Sequence, residues 1–163
     1  MNIDCKEQIA QLFKRKFTQN PLLVFSPGRI NLIGEHTDYN DGFVFPAAID
    51  KGIYLAIGLS KTNASTIVAV DLEEQYNFTL DDQIQPLANN RWENYILGVI
   101  SELQKKGKTV PNINIVFKGD IPAGAGLSSS AALENAVVFG LNKLLELNLS
   151  KKEMILISQK AEH

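Results

Sequence analysis

Ile113-Asn114-Ile115-Val116-Phe117 is followed closely by Pro122-Ala123-Gly124-Ala125-Gly126-Leu127-Ser128-Ser129-Ser130-Ala131-Ala132-Leu133-Glu134. The first run alternates apolar and polar residues at its start, as a half-buried strand does. The second turns on two glycines and enters a helix of small residues near Ser128. Glycines at this spacing let a backbone turn tightly and approach a ligand closely. The first amides of a helix have no internal partner, and the helix dipole adds about half a positive charge there. Amides and serine hydroxyls together make a cradle for an anion. A polyphosphate fits it, and a serine hydroxyl could also reach Mg²⁺. The run is no Walker A loop, because no lysine follows its last glycine. Nor does it space three glycines as a dinucleotide-binding turn does. An ordinary helix entry with serines as caps remains the other reading of these residues.

A second polar concentration lies upstream, in Gly28-Arg29-Ile30-Asn31-Leu32-Ile33-Gly34-Glu35-His36-Thr37-Asp38-Tyr39-Asn40-Asp41-Gly42. Carboxylates accept hydrogen bonds from sugar hydroxyls, often two at once. An arginine can face a phosphoryl group and take up its charge. The residue types alone also allow a solvated turn in which Arg29 pairs with a carboxylate. His36 and Asp38 lack a third ligand and do not make a zinc site.

Around these two segments the pattern predicts a helix from Asp4 to Thr18, with Ile9, Leu12, Phe13 and Phe17 on one face. It predicts a short strand, Leu22 to Phe25, stopped by Ser26-Pro27-Gly28. Strands follow at Gly42–Ile49, Ile53–Ile57, Thr66–Val70 and Gln75–Leu80, with antiparallel pairing expected. A second helix begins at Asn90, with Glu93 in its first turn, and ends at Gly107. Ser150 and Glu153 form a capping box for a fourth helix, an apolar one that wants cover from later elements. Helix, strands, helix, strand, helix, helix is an α+β order, not a doubly wound sheet.

The chain has 163 residues, 45% hydrophobic and 21% charged, which suits one soluble domain. Sixteen basic against eighteen acidic residues leave a net charge of −2, no footprint for nucleic acid or an anionic membrane. No apolar run reaches the roughly 18 residues of a membrane helix. The start lacks the apolar segment of a secretory signal. Cys5 is the single cysteine, which excludes an internal disulfide and points to a reducing, cytoplasmic location.

Residues 28–40, with Gly42-Phe43-Val44-Phe45-Pro46-Ala47-Ala48-Ile49 after them, resemble the galactokinase signature. Pro122 through Glu134 resembles the phosphate-binding motif of the wider GHMP small-molecule kinases. The resemblance implies an α+β N-terminal domain of the type of ribosomal protein S5 domain 2, here in truncated form. It assigns residues 26–49 to galactose and residues 122–134 to the ATP phosphates, within one incomplete domain spanning 1–163. Glu35, His36, Thr37 and Asp38 are then the sugar contacts, and Arg29 lies by the C1 hydroxyl and the transferred phosphoryl group. Gly124, Ala125, Gly126, Leu127, Ser128, Ser129 and Ser130 hold ATP, and Ser130 ligates Mg²⁺. Ala161-Glu162-His163 resembles the start of a further family motif, whose glutamate, Glu162, is the second Mg²⁺ ligand. That motif continues in the family to a Cys-Gly-Ile-Met-Asp-like segment bearing the general base, which lies beyond this chain.

The implied reaction is ATP plus galactose giving galactose 1-phosphate and ADP. Without the base and a second domain, the 163-residue chain is expected to be inactive and poorly soluble. Two other functions fit the resemblance: a galactose and ATP sensor in transcriptional regulation, and a kinase for N-acetylgalactosamine or an arabinose-type pentose. The complete Ser128-Ser129-Ser130-Ala131-Ala132 run favours the enzyme lineage over the sensor. Asp71 stands where family members tend to carry serine, and no role is assigned to it.

Overall fold

A computed structural model describes residues 3–34, 42–80, 84–88, 91–122 and 126–162. In chain order the elements are α1 (Ile3–Phe17), β1 (Leu22–Asn31), β2 (Pro46–Leu59), β3 (Ser65–Ala69), β4 (Glu74–Phe78), α2 (Glu93–Lys105), β5 (Ile113–Gly119), α3 (Ser129–Leu144) and α4 (Lys151–Ala161). The strands form one sheet in the order β1-β2-β5-β3-β4. All neighbours are antiparallel except β3 and β5, which run parallel. The antiparallel pairing expected of the strands before α2 is present in β1–β2 and β3–β4, and the parallel pair arises where β5 enters the sheet. A parallel neighbour needs a crossover, and α2 lies in the connection between β4 and β5.

Strand alternation divides the core into two layers. Tyr54, Ala56 and Val116 face Cys5, Ile9 and Phe13 of α1. Leu55, Ile57, Ile67 and Ile115 face the other way, onto Ile96 and Ile100 of α2 and Val137 and Leu141 of α3. A sheet covered on both faces explains why β2 is buried without a break from Gly52 to Gly58.

Three element boundaries differ from the sequence pattern. Ser26-Pro27-Gly28 does not stop β1, which continues to Asn31 through a register shift between Pro27 and Arg29. β1 is the edge strand, so the N–H that Pro27 lacks is not needed by the sheet. The strands expected at 42–49 and 53–57 are a single strand, β2, beginning at Pro46; Asp50 and Lys51 continue it through their backbones. Residue 90 lies outside the described residues, and α2 starts at Glu93 with Trp92 as N-cap and no side-chain cap bond. Glu93 is buried and paired with Arg91 instead of closing a capping box. The predicted box of α4 is present: Ser150 Oγ accepts from Glu153 N–H, and Glu153 accepts from Ser150 N–H at 2.8 Å.

Candidate active site

The C-terminal end of β1 and the entry to α3 meet. Arg29 N–H donates to the Leu127 carbonyl at 3.1 Å. The approach is close because Gly28 carries no side chain: a Cβ there would stand 2.8 Å from the Leu127 oxygen and 3.1 Å from Ile121. Beyond this junction the arms of the polar segment stay joined. Leu32 N–H donates to Phe45 O, and Phe45 N–H to Ile33 O, both at 3.0 Å. Asn31 Oδ1 accepts from Phe45 N–H as well, at 3.2 Å. The two stretches that flank residues 35–41 in the sequence are therefore bonded to each other. Glu35, His36, Thr37 and Asp38 lie outside the described residues, and so do Gly124 and Ala125. The Arg29 side chain is exposed at the junction.

Gly126 has φ of +65°, a left-handed conformation that glycine adopts without cost. Ser128 is also left-handed, at φ 58°, where a side chain costs about 1–3 kcal/mol. It makes no side-chain cap bond, and α3 begins with Ala132 N–H bonded to the Ser128 carbonyl. Capping therefore does not account for Ser128. Strain of this kind collects at ligand-holding turns. Ser129 is exposed and Ser130 half-buried in the first turn of α3, where amides lack internal partners.

One helical turn beyond Ser130 comes Glu134. It is 1% exposed, and its Oε1 has no hydrogen-bond partner. Burial pushes its carboxyl up to about 8, helped by the charge of Glu162 and a hydrogen bond shared with it. Glu162 caps the C-terminus of α4 and is exposed. Tyr95 on α2 completes the group, its hydroxyl held above its ordinary range by burial first and then by both glutamates. Beside Glu162 a cleft of about 490 Å³ opens between α2, residues 84–87 and the end of α4. The signal for Glu134 was available: an acidic residue inside a run of alanine, leucine and valine, four residues after Ser130 and so on the same helix face.

Among the described residues no three His, Cys, Asp or Glu side chains form a metal cluster. Ser130 and Glu162 each carry an oxygen donor of the hard type that Mg²⁺ takes when substrate phosphates and water complete its shell.

Residues 94–163 match the N-terminal domain of the GHMP kinases, and residues 11–59 match the galactokinase galactose-binding signature. Over these residues the chain is similar to the GHMP kinases. The crystal structure of Methanococcus jannaschii mevalonate kinase shares the fold, with a TM-score of 0.75 at 19% identity over 88% of this chain and 46% of that one. Lactococcus lactis galactokinase, crystallised with galactose, is nearer: TM-score 0.86, 37% identity, 94% of this chain and 40% of that one. A galactokinase of Roseiflexus sp. (strain RS-1) is 42% identical over 157 residues, 96% of this chain and 40% of that protein. Among the GHMP kinases, the similarity to galactokinases extends over nearly the whole of this chain. It spans about 40% of the length of the curated relatives it matches.

Proposed function

We propose that this chain supplies the sugar-binding segment and the ATP phosphate loop of a galactokinase, which transfers the γ-phosphoryl group of ATP to the C1 hydroxyl of galactose. The observation that carries the reading is the bond from Arg29 N–H to Leu127 O. It joins the segment matching the galactose-binding signature to the Gly-Ser turn of the GHMP domain, so one pair of reactants can span both.

Phosphoryl transfer depends on alignment and on charge stabilisation more than on covalent chemistry by the protein. In this reading Gly124 to Ser130 hold the phosphates with backbone amides and hydroxyls. Arg29 stabilises charge on the moving phosphoryl group. Glu35, His36, Thr37 and Asp38 accept and donate hydrogen bonds to the sugar and aim its C1 oxygen. Ser130 and Glu162 would hold Mg²⁺, which when bound offsets phosphate charge. The family's Cys-Gly-Ile-Met-Asp-like segment with the general base is not among these 163 residues. The chain alone is therefore expected to bind both ligands and to turn over galactose with ATP at no measurable kinase rate.

Amide NMR of the labelled chain tests the reading. Galactose is expected to shift Leu32 to Gly34 and Phe43 to Phe45, and a non-hydrolysable ATP analogue to shift Gly126 to Ser130. Perturbations on separate faces, or none at millimolar ligand, would overturn it.

A further inference from the structure

We propose that Asp120 is a positioning residue for the Gly-Ser turn: its side chain accepts from Gly52 N–H, lets the chain leave β5 at that point and fixes where Leu127 to Ser130 lie against β1. The inference rests on the phosphate role given to Gly126–Ser130 in the proposed function and adds what sets their place.

The ladder between β2 and β5 ends at Ile53 and Gly119, so Gly52 and Asp120 are the next residues opposite each other. A hydrogen-bonded pair in an antiparallel sheet exchanges two main-chain bonds. One of them is made here by the main chain, Asp120 N–H donating to Gly52 O at 3.1 Å. The other goes to the side chain, Asp120 Oδ1 accepting from Gly52 N–H at 2.7 Å. The carboxylate stands in for its own carbonyl. Gly52, which is buried, keeps its N–H satisfied while the backbone beyond Asp120 turns out of the sheet. Gly119, the last residue of β5, is held as well, its N–H donating to Asp71 Oδ2 at 2.6 Å. The place of this exit decides where the turn returns. On its other side Gly52 pairs with Pro27 of β1. At the next residue, Gly28, Ile121 and Leu127 converge: a Cβ there would stand 3.1 Å from Ile121 Cδ1 and 2.8 Å from Leu127 O. Residue 121, directly after Asp120, and residue 127, directly before Ser128, thus meet over one glycine. A shift of Asp120 carries Ile121 along β1, and with it the seat of Leu127 and its bond from Arg29 N–H.

The test uses amide hydrogen exchange and titration with a non-hydrolysable ATP analogue on the 163-residue chain. D120N keeps an acceptor oxygen and is expected to match the original chain in both. D120A removes the acceptor. Its Arg29 N–H, read against Leu55 N–H inside β2, is expected to exchange at least about tenfold faster, and the ATP analogue to bind at least about tenfold more weakly. D120L, near aspartate in volume and without an acceptor, replaces D120A if that variant does not fold. S65A is the control for a merely structural role, because Ser65 Oγ accepts from Ile113 N–H at 3.1 Å at the opposite end of β5. It weakens the same strand and is expected to leave Arg29 exchange, relative to Leu55, and ATP-analogue affinity unchanged. Equal effects of D120A and S65A overturn the positioning role, and so does an Arg29 amide that D120A leaves as protected as before. A D120N chain that behaves as D120A does overturns the acceptor role. Faster Arg29 exchange in D120A, in a protein whose Gly126 to Ser130 amides no ATP analogue shifts, overturns the phosphate reading of the turn and leaves Asp120 as the residue that positions it.

Discussion

Gly28 has no room for a side chain, and the site depends on that. A methyl group at 2.8 Å from the Leu127 carbonyl would force β1 and the Gly-Ser turn apart. Gly28→Ala is expected to cost about 1–3 kcal/mol of stability by overpacking. In thermal unfolding and ATP-analogue titration, it is expected to weaken nucleotide binding more than its stability loss alone would. Glu134 gives a second residue-scale outcome. Its carboxyl is near 8 in the folded chain against an ordinary 4.5. The folded state therefore holds more protons than the unfolded one between those values, and stability falls as pH rises from about 4.5 through 8. The groups facing it are Glu162 and Tyr95, neither of which offers a cation. Denaturant unfolding from pH 5 to 8 is expected to show this decline and to show it flattened in E134Q. The sequence disclosed the residue types of segments 28–42 and 122–134 but not this pair. Glu134 and Glu162 lie on different helices, and only the packing of α3 on α4 brings them together.

At the scale of elements, local chemistry was legible wherever it was self-contained. Ser150 and Glu153 make both bonds of their box within one turn of helix, so four residues were enough to read it. Ser150→Ala is expected to cost about 1 kcal/mol, visible as faster amide exchange in the first turn of α4. The Pro27-Gly28 pair misled because its meaning depends on where β1 sits. In a central strand it would end the ladder, whereas at the edge it accompanies a register shift, past which Arg29 N–H meets the Leu127 carbonyl. The merging of two expected strands into β2 has a similar origin. Asp50 and Lys51 are poor strand formers, yet Lys51 lies in a strand that Asp120 steadies by accepting from Gly52 N–H at 2.7 Å. That bond spans 68 residues and leaves no trace in the local sequence.

Across the molecule, apolar side chains remain outside in two groups. Leu32, Ile33, Phe43, Val44 and Phe45 lie on either side of residues 35–41 in the sequence, with Phe43 98% exposed and Ile33 71%. Phe139, Ile155 and Leu156 lie on α3 and α4. The expectation that the apolar residues of α4 want further cover agrees with this second group. Exposure on this scale promotes self-association. Phe43→Ser with Phe45→Ser is expected to lower binding of a hydrophobic dye while changing unfolding free energy by less than about 0.5 kcal/mol. The α+β class, the helix order and the α4 cap were open to sequence reading. The sheet order was not, because it is set by which strand faces fill the space under α2 and α3.

That order has a temporal consequence. The middle of the sheet, β5, is the last of these five strands to leave the ribosome, whereas both of its neighbours, β2 and β3, emerge well before it. Until Gly119 is out, a nascent chain can zip β1 to β2 and β3 to β4 as two separate hairpins, each with an open apolar edge waiting for the same keystone. Contacts between parts so distant along the chain form slowly, so synthesis leaves a window in which a chaperone, or another unfinished copy, meets those edges first.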